Sequence, residues 1–452
     1  MIDKLISFSL KERLLVMILI LLIIAAGIYS FFTIPVDAFP DVTSVQVEIL
    51  ASAPGYSPYE VEKFVTFPLE TTLRGLPRLK QLRSISRSGL SVVTAVFEDK
   101  TDLYFARQQA FERLTEAREK VPEQVEIALG PIATPMGEIY QYTLEGQLPA
   151  SEKERVRYLT ELRTIQDWMV TPFFKSLPGV SDVNSFGGYI KQYLIKVQPE
   201  QLLRYNLTLR DVVEAVQSNN LNAGGNIVER GEQQFIVRGT GLFRNLEDIN
   251  KTILKTDNGA QVILQDVALV EEGQAIRQGG AIKNGEAEAV GGIVLMLAGE
   301  NGQEVARRIE KKVEEINASR LLPDGLKIVP FYKRTDIVTA SIRTIVEALL
   351  LGAFLVIMVL FIFLRSFRSS LVVVLSLPLT ILLTFIIMKQ TGLTANLMSL
   401  GGLAISIGMI IDAAIIQVEN IQRHLGDTGL KDESTFFNAI AEVRKPSIFG
   451  EL

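Results

Sequence analysis

The chain contains no cysteine and a single histidine, His424, among its 452 residues. Without thiols it can form no disulfide, thiolate nucleophile, cysteine-based zinc site or iron–sulfur cluster. One histidine also excludes any paired-histidine metal motif within the chain. Positive charge is not in surplus either: 46 lysines and arginines face 51 aspartates and glutamates, a net charge of −5. A nucleic-acid binder would show a basic excess or a basic face, so nucleic acid is not an expected partner. These absences remove most of the parts that hydrolytic and redox enzymes use. No catalytic constellation and no cofactor is expected, and Asp167, Trp168 and Asp182 read as structural.

What the chain does have is apolar length. Hydrophobic residues make up 48% of the sequence, and the mean hydropathy is +0.26. Four stretches reach the roughly 20 apolar residues that a bilayer span requires. The first, 14–34, is uncharged. It is too long for the apolar region of a signal peptide, and Thr33-Ile34-Pro35-Val36 offers no small-residue cleavage site, so it reads as a retained anchor. Three more follow as a cluster with short loops: 344–364 with Glu347 at one end, 369–388 without charge, and 391–418 with Asp412 as its single charge. Short loops make these three neighbours.

Basic residues in short loops set the orientation. Lys4, Lys11 and Arg13 precede the first span, Arg365 and Arg368 lie between the second and third, and Arg423, Lys431, Arg444 and Lys445 follow the fourth. Four spans place all three groups on one side, the cytoplasm. Residues 35 to about 337 then form one block on the other side.

That block reads as α+β. Val45 to Ile49 alternate as a half-buried strand does. Ser57-Pro58-Tyr59-Glu60 is a capping box with proline in the first turn, opening a helix that runs to about Leu73. Strands near 82–88 and 91–97 follow, then a helix over 103–120. A second unit of the same kind begins near Ile139, with helices near 154–175, 199–205 and 209–218 and strands near 180–186 and 193–197. Residues 222–226 open a hairpin-like region, and a final strand over 292–298 precedes a helix over 303–316. The pattern is compatible with two ferredoxin-like subdomains.

Asp412 carries the functional argument. A carboxylate in hydrocarbon costs about 2.5–3.5 kcal/mol even on lenient insertion scales, so its presence implies a gain elsewhere. Gly401, Gly402, Ala404 and Gly408 give the same helix a small-residue surface for close helix approach. Burial in a tight bundle would raise the carboxyl pKa towards neutrality, which is what a proton relay needs. The plainer reading places Asp412 near the interface, capped by a hydroxyl such as that of Ser406. Glu419 lies two turns further along the same face; it is a weaker relay candidate and reads better as an interface residue or a partner of Arg423. Met398 and Met409 are weak candidates for soft-metal contacts and read more readily as packing. His424 reads as an ordinary surface residue.

Several segments together resemble a known family: 34–42 (Ile-Pro-Val-Asp-Ala-Phe-Pro-Asp-Val), 53–58 (Ala-Pro-Gly-Tyr-Ser-Pro), Pro68-Leu69-Glu70, Gly75-Leu76-Pro77, Arg83-Ser84, Gly89-Leu90-Ser91, Thr101-Asp102, Ala106-Arg107-Gln108, and Phe331-Tyr332 with Arg334-Thr335. The chain resembles the N-terminal half of a resistance–nodulation–division efflux transporter of the heavy-metal branch. The resemblance implies an α-helical transmembrane bundle with a large extracytoplasmic α+β porter domain. It divides the chain into a cytoplasmic N-terminus (1–13), helix one (14–34), porter subdomain one (35–135) and porter subdomain two with a docking insertion (136–337). Helices two, three and four follow at 338–364, 369–388 and 391–420, then a cytoplasmic segment (421–452) leading to a fifth helix near Lys445-Pro446.

In that family the fourth-helix carboxylate drives export by protonation, and Asp412 is the matching position. The zinc, cobalt and cadmium exporters carry a further aspartate where this chain has Ser406. The copper and silver exporters resemble it more closely around 396–402 and 412–414, although Ile410 and Gln417 supply none of their additional methionines. Monovalent copper or silver is slightly favoured over zinc-like ions. Family chains are about twice as long, so the expectation is either that this chain is a fragment or that the second half is a separate chain. That second half is expected to supply a lysine partner for Asp412, the rest of the substrate cleft and most candidate metal ligands. The resemblance further implies a homotrimer in the bacterial inner membrane, in contact with membrane lipid and joined to a periplasmic adaptor and an outer-membrane channel. A drug exporter of the same superfamily and a non-transporting membrane-anchored binding module are the alternatives.

The topology has a direct check because the chain contains no native thiol. A cysteine at Gln147 is expected to react with a membrane-impermeant maleimide in intact spheroplasts, and one at Ser434 only after lysis. Labelling of Ser434→Cys before lysis would invert the orientation.

Overall fold

The computed structural model describes residues 2–451 apart from Ala38, Glu232, Asn258, Gln278, Asp324, 365–366 and 430–431. Of the residues used above, Arg365, Lys431, Ala38 and Leu452 therefore lie outside the described residues. The chain opens with two helices, α1 (Ile2–Lys11) and α2 (Arg13–Thr33). The first thus occupies most of what the sequence offered only as an N-terminal segment. Apolar side chains all round α2 are what a lipid-facing helix requires. It ends where Ile34 turns extended, as a residue before proline must, because the ring of Pro35 crowds the helical conformation.

The first α+β unit contains β1 (Gln46–Ser52), α3 (Pro58–Val61), α4 (Phe67–Leu73), β2 (Leu79–Arg87), β3 (Leu90–Phe97), α5 (Leu103–Arg118) and β4 (Glu126–Leu129). The capping box forms: Ser57 Oγ accepts from Glu60 N, and the Glu60 carboxylate accepts from Ser57 N at 2.9 Å. Between α3 and α4 the helix widens into a π-turn, Glu62–Thr66. Pro68 has no N–H to give back to the carbonyl four residues earlier, so the neighbouring amide of Phe67 reaches five residues, to Glu62. The strands form one antiparallel sheet in the order β2-β3-β1-β4. Val47, Ile49 and Ala51 alternate inward from β1 and meet Val65, Leu69 and Leu73 on one helix and Ala106, Ala110 and Leu114 on the other.

The second unit repeats this plan with an interruption. It starts with β5 (Glu138–Glu145), α6 (Glu152–Ile165), a π-turn (Gln166–Val170), α7 (Thr171–Lys175) and β6 (Val180–Phe186). Here too the π-turn precedes a proline, Pro172, and its closing bond runs from Thr171 N to Gln166 O. In each unit the π-turn turns a polar side chain inward. Thr66 Oγ1 lies 2.8 Å from the hydroxyls of Ser86 and Ser91, and Gln166 Nε2 donates to the Tyr142 hydroxyl at 2.8 Å.

The interruption enters and leaves through one antiparallel ribbon, β7 (Lys191–Val197) against β12 (Ala268–Gln274). Between its strands lie α8 (Pro199–Arg204), α9 (Leu209–Asn219), the hairpin β8 (Ala223–Arg230) and β9 (Gln233–Gly239), α10 (Leu246–Asn250), β10 (Ile253–Asp257), β11 (Ala260–Ile263) and α11 (Leu264–Val267). This module has its own core, with Val212, Ile249, Leu264 and Val267 at its centre. The short β13 (Ala281–Lys283) then leads into β14 (Ala287–Met296), α12 (Gly302–Ala318) and β15 (Lys327–Lys333). The order β6-β14-β5-β15 reproduces that of the first sheet, with β13 beside β6 on the same edge of β14. The sequence reading placed the last strand at 292–298; β15 corrects it. Pro330 interrupts that run, and β15 tolerates a proline because it lies at the sheet edge and pairs only with β5.

α13 (Arg334–Leu364) follows β15 without an intervening residue, and α14 (Phe367–Thr391), α15 (Leu397–Thr428) and α16 (Glu433–Glu451) complete the chain. The fourth apolar helix begins at Leu397 rather than at 391. α14 runs on to Thr391, Gly392 takes a left-handed conformation (φ +73°), and Asn396 caps α15 by accepting from the amides of Met398 and Ser399. The helix expected to start near Lys445-Pro446 is already under way from Glu433. Among the described residues, Arg13–Thr33 and Leu371–Thr391 are long and apolar enough to cross a membrane.

Gly187 is the tightest point of the second sheet. Its φ is +71°, and a Cβ there would lie 1.9 Å from the Ala289 carbonyl oxygen. Gly187→Ala combines left-handed strain with a backbone collision, so a loss of about 1–3 kcal/mol or more is expected. Gly285→Ala has a similar φ of +72° and open space, and should cost the strain alone. Denaturation midpoints of the two variants test the difference.

Candidate functional site

α15 carries every site residue singled out from the sequence. Met398, Ile405, Met409, Asp412, Ile416 and Glu419 recur at intervals of seven, four, three, four and three, which places them on one stripe of the helix. All six are exposed, with Met398 at 69%, Ile405 at 74% and Met409 at 66%. Gly401 and Gly402 are equally uncovered, since a Cβ on either would meet nothing within 4 Å. The other side of the helix is occupied: Ala414, Ile415 and Val418 pack on Val373 and Leu377 of α14.

Asp412 makes no hydrogen bond or ion pair among the described residues, so its carboxylate is presented outward on an apolar helix. Ser406, the alternative cap, instead donates to the Gly402 carbonyl at 2.9 Å. Met398 and Met409 share the stripe but lie eleven residues apart, roughly 16 Å along the axis at 1.5 Å per residue. They cannot hold one ion together. Among the described residues, no group of three or more metal-ligating side chains (histidine, cysteine, aspartate or glutamate) comes together. Met409 also borders a cavity of about 640 Å³ between α1, α14, α15 and α16, with Ser406, Gln417 and Arg444 on its wall.

The C-terminal end of the helix differs from the expectation at two residues. Arg423 does not pair with Glu419; it reaches Glu442 on α16 at 3.4 Å. His424 is not an isolated surface residue, because its Nε2 lies 2.7 Å from the Glu442 carboxylate. Asn420 Nδ2 donates to Ala439 O at 2.8 Å and to Glu442 at 3.1 Å. The bond from Asn420, then those from His424 and the charge of Arg423, hold the Glu442 carboxyl below its ordinary range.

At the opposite end, two residues inside the family-like segments form a contact that no spacing argument revealed. Arg334 Nε donates to Asp37 Oδ1 at 2.8 Å and Nη2 to Oδ2 at 2.7 Å, with the side chains 6% and 18% exposed. Nη1 donates to the Met136 carbonyl. Four residues on, Asp41 accepts from Thr43 N at 3.0 Å and Thr134 Oγ1 at 2.8 Å. Burial pushes the Asp41 carboxyl up, but these bonds and the Arg334 charge outweigh it and leave it low. The signal in the sequence was the pairing of segments 34–42 and 331–335, nearly 300 residues apart. Asp167 pairs with Arg163 at 2.8 Å and Asp182 with Lys175 at 2.8 Å.

Two sheets of one strand order, the second running without a linker into a long apolar helix, and a further apolar helix bearing an outward carboxylate, fit a transporter chain. The pattern of the AcrB/AcrD/AcrF family matches residues 5–452, and the chain belongs to that family, the resistance–nodulation–division transporters of the inner membrane. It falls in the heavy-metal branch and corresponds to the N-terminal half of its members. It is 43% identical over 462 residues to the cobalt-zinc-cadmium resistance protein CzcA of Cupriavidus metallidurans, covering 100% of this chain and 43% of that protein. It is 39% identical over 426 residues to the cation efflux system protein CusA of Escherichia coli, covering 94% of this chain and 40% of that protein. A crystal structure of a heavy metal efflux pump superposes with a TM-score of 0.86 at 33% identity, over 99% of this chain and 43% of that one. The chain thus spans less than half the length of these relatives.

The Glu442 cluster gives a pH test. A carboxylate held low stabilises above its unfolded value, near 4.3, and that contribution is lost as pH falls through the lowered value. Amide protection in α16, read by pulsed exchange after equilibration at each pH, is expected to hold at neutral pH and fall below about pH 4. Glu442→Gln should start from the lower level throughout.

Proposed function

We propose that the chain is the N-terminal half of a proton-driven exporter of heavy-metal cations, with Asp412 as the proton relay. The observation that carries this reading is the outward carboxylate of Asp412 on the uncovered stripe of α15. A charge retained at that cost, beside Gly401 and Gly402 that admit a closely packed helix, fits a group waiting for a cation from the rest of the pump. In that reading a lysine from the second half faces Asp412. Proton uptake from the exterior breaks the pair, and release to the cytoplasm restores it. Glu419, on the same stripe two turns on, would accept or pass the proton at the inner end.

The helices are assigned as four membrane spans (α2, α13, α14 and α15) with the N-terminus cytoplasmic. The two exterior units, sharing one strand order with helices packed on the sheet, are assigned as ferredoxin-like porter subdomains, and the module on the β7–β12 ribbon as the docking insertion. The β8–β9 hairpin supports assembly as a homotrimer. Phe235, Ile236 and Val237 are exposed on it, Ile236 by 80%, and apolar surface of this kind marks an interaction site. A periplasmic adaptor and an outer-membrane channel would complete the route.

For the cargo, divalent transition-metal ions are the proposal. Relatives are cobalt-zinc-cadmium and nickel and cobalt resistance proteins. The monovalent copper or silver reading rests on the likeness to copper and silver exporters around 396–402 and 412–414. Met398 and Met409, the weak ligand candidates, lie too far apart to hold one ion together.

In a protein of full family length, Asp412→Asn is expected to abolish metal-dependent proton exchange in proteoliposomes at unchanged expression. Retained exchange would remove Asp412 from the mechanism. Met398→Leu and Met409→Leu should leave zinc export intact; selective loss of copper or silver export would reinstate the monovalent reading.

A further inference from the structure

Three connections on the exterior side of the apolar helices meet at the Asp37–Arg334 ion pair. Arg334 is the first residue of α13 and follows β15 directly, so any tilt of α13 passes into the second sheet. Asp37 lies just beyond the end of α2. Its backbone N–H donates to Ala395 O at 3.0 Å, Ala395 N donates to Pro35 O at 2.9 Å, and Val36 forms a parallel bridge with Ala395. Ala395 precedes Asn396, the cap of α15. The Met136 carbonyl, which takes the third bond from Arg334, belongs to the turn between the first unit and β5. Thr335 Oγ1 adds a bond to Glu310 of α12 at 2.5 Å.

Stability alone does not explain an ionic contact here. A buried ion pair gains little over apolar residues of similar volume, because desolvation offsets the attraction. What the two-pronged contact between guanidinium and carboxylate supplies is a fixed distance and a fixed angle. Apolar packing would hold the segments together but let them slide.

We propose that the Asp37–Arg334 pair is the joint that turns a displacement of α15, set by the charge of Asp412, into a movement of the second exterior unit relative to the first. Arg334 is a positioning residue in this scheme and touches neither proton nor metal. The inference rests on the relay reading of Asp412 and deepens it.

The test uses the full-length protein, with spin labels on cysteines placed at Glu119, the exposed C-cap of α5, and Glu314, exposed on α12. Asp412→Asn mimics the protonated state and is expected to shift the distance distribution between the labels. In the Asp37→Leu/Arg334→Met double variant, which keeps the site packed and uncharged, the same Asp412→Asn change should produce no shift. Arg334→Lys keeps the charge, loses the fork, and should diminish the shift; it serves if the double variant fails to fold. A full shift with the pair replaced would overturn the joint while leaving the relay standing. No shift with the pair intact would overturn both.

Discussion

The guanidinium of Arg334 is the point on which the arrangement of this chain depends. Its five N–H groups point in fixed directions in one plane, and three of them are used on partners from separate parts of the sequence: the carboxylate beyond α2 twice, and a carbonyl of the turn before β5 once. A lysine would offer charge without direction. Because Arg334 begins α13 directly after β15, no linker separates that helix from the second sheet. The second unit therefore has little freedom to swing independently of α13.

The energetic logic of α15 is different, since it keeps what it has not yet satisfied. Its packed side is ordinary, with alanines and β-branched residues against α14. The other side leaves a carboxylate, two methionines and open glycines unpartnered along six turns. Apolar residues throughout would insert more favourably than this stripe. On the proposed function the stripe is one half of an interface, and the relatives that the chain matches are more than twice its length.

Local chemistry made much of the fold legible in the sequence. The Ser57 capping box, the alternation of β1 and the hairpin after 222 all act over a few residues, and the structure follows them closely. Long-range pairing was not legible. The insertion separates β6 from β14 by about a hundred residues, so the match between the two sheets does not show in spacing, and Pro330 hid β15. The π-turns escaped notice because proline at a helix start and proline just after a π-turn look alike locally. The site divides in the same way. The stripe containing Asp412 could be read from helical period, whereas the Glu442 cluster and the Arg334 fork join residues far apart in the chain.

The β7–β12 ribbon has a consequence for how such a chain can change. The insertion carries its own core and reaches the second sheet through two neighbouring strands, so its entrance and exit lie side by side. A module mounted in this way can be lengthened, resurfaced or exchanged without altering the register of the sheet below. Whatever the β8–β9 hairpin meets can diverge from one lineage to another at little structural cost. The contacts of Arg334 have no such freedom, because they tie together segments about 200 and 300 residues apart in the chain. One polypeptide thus combines a region free to acquire new associations with a region in which almost any change is felt elsewhere.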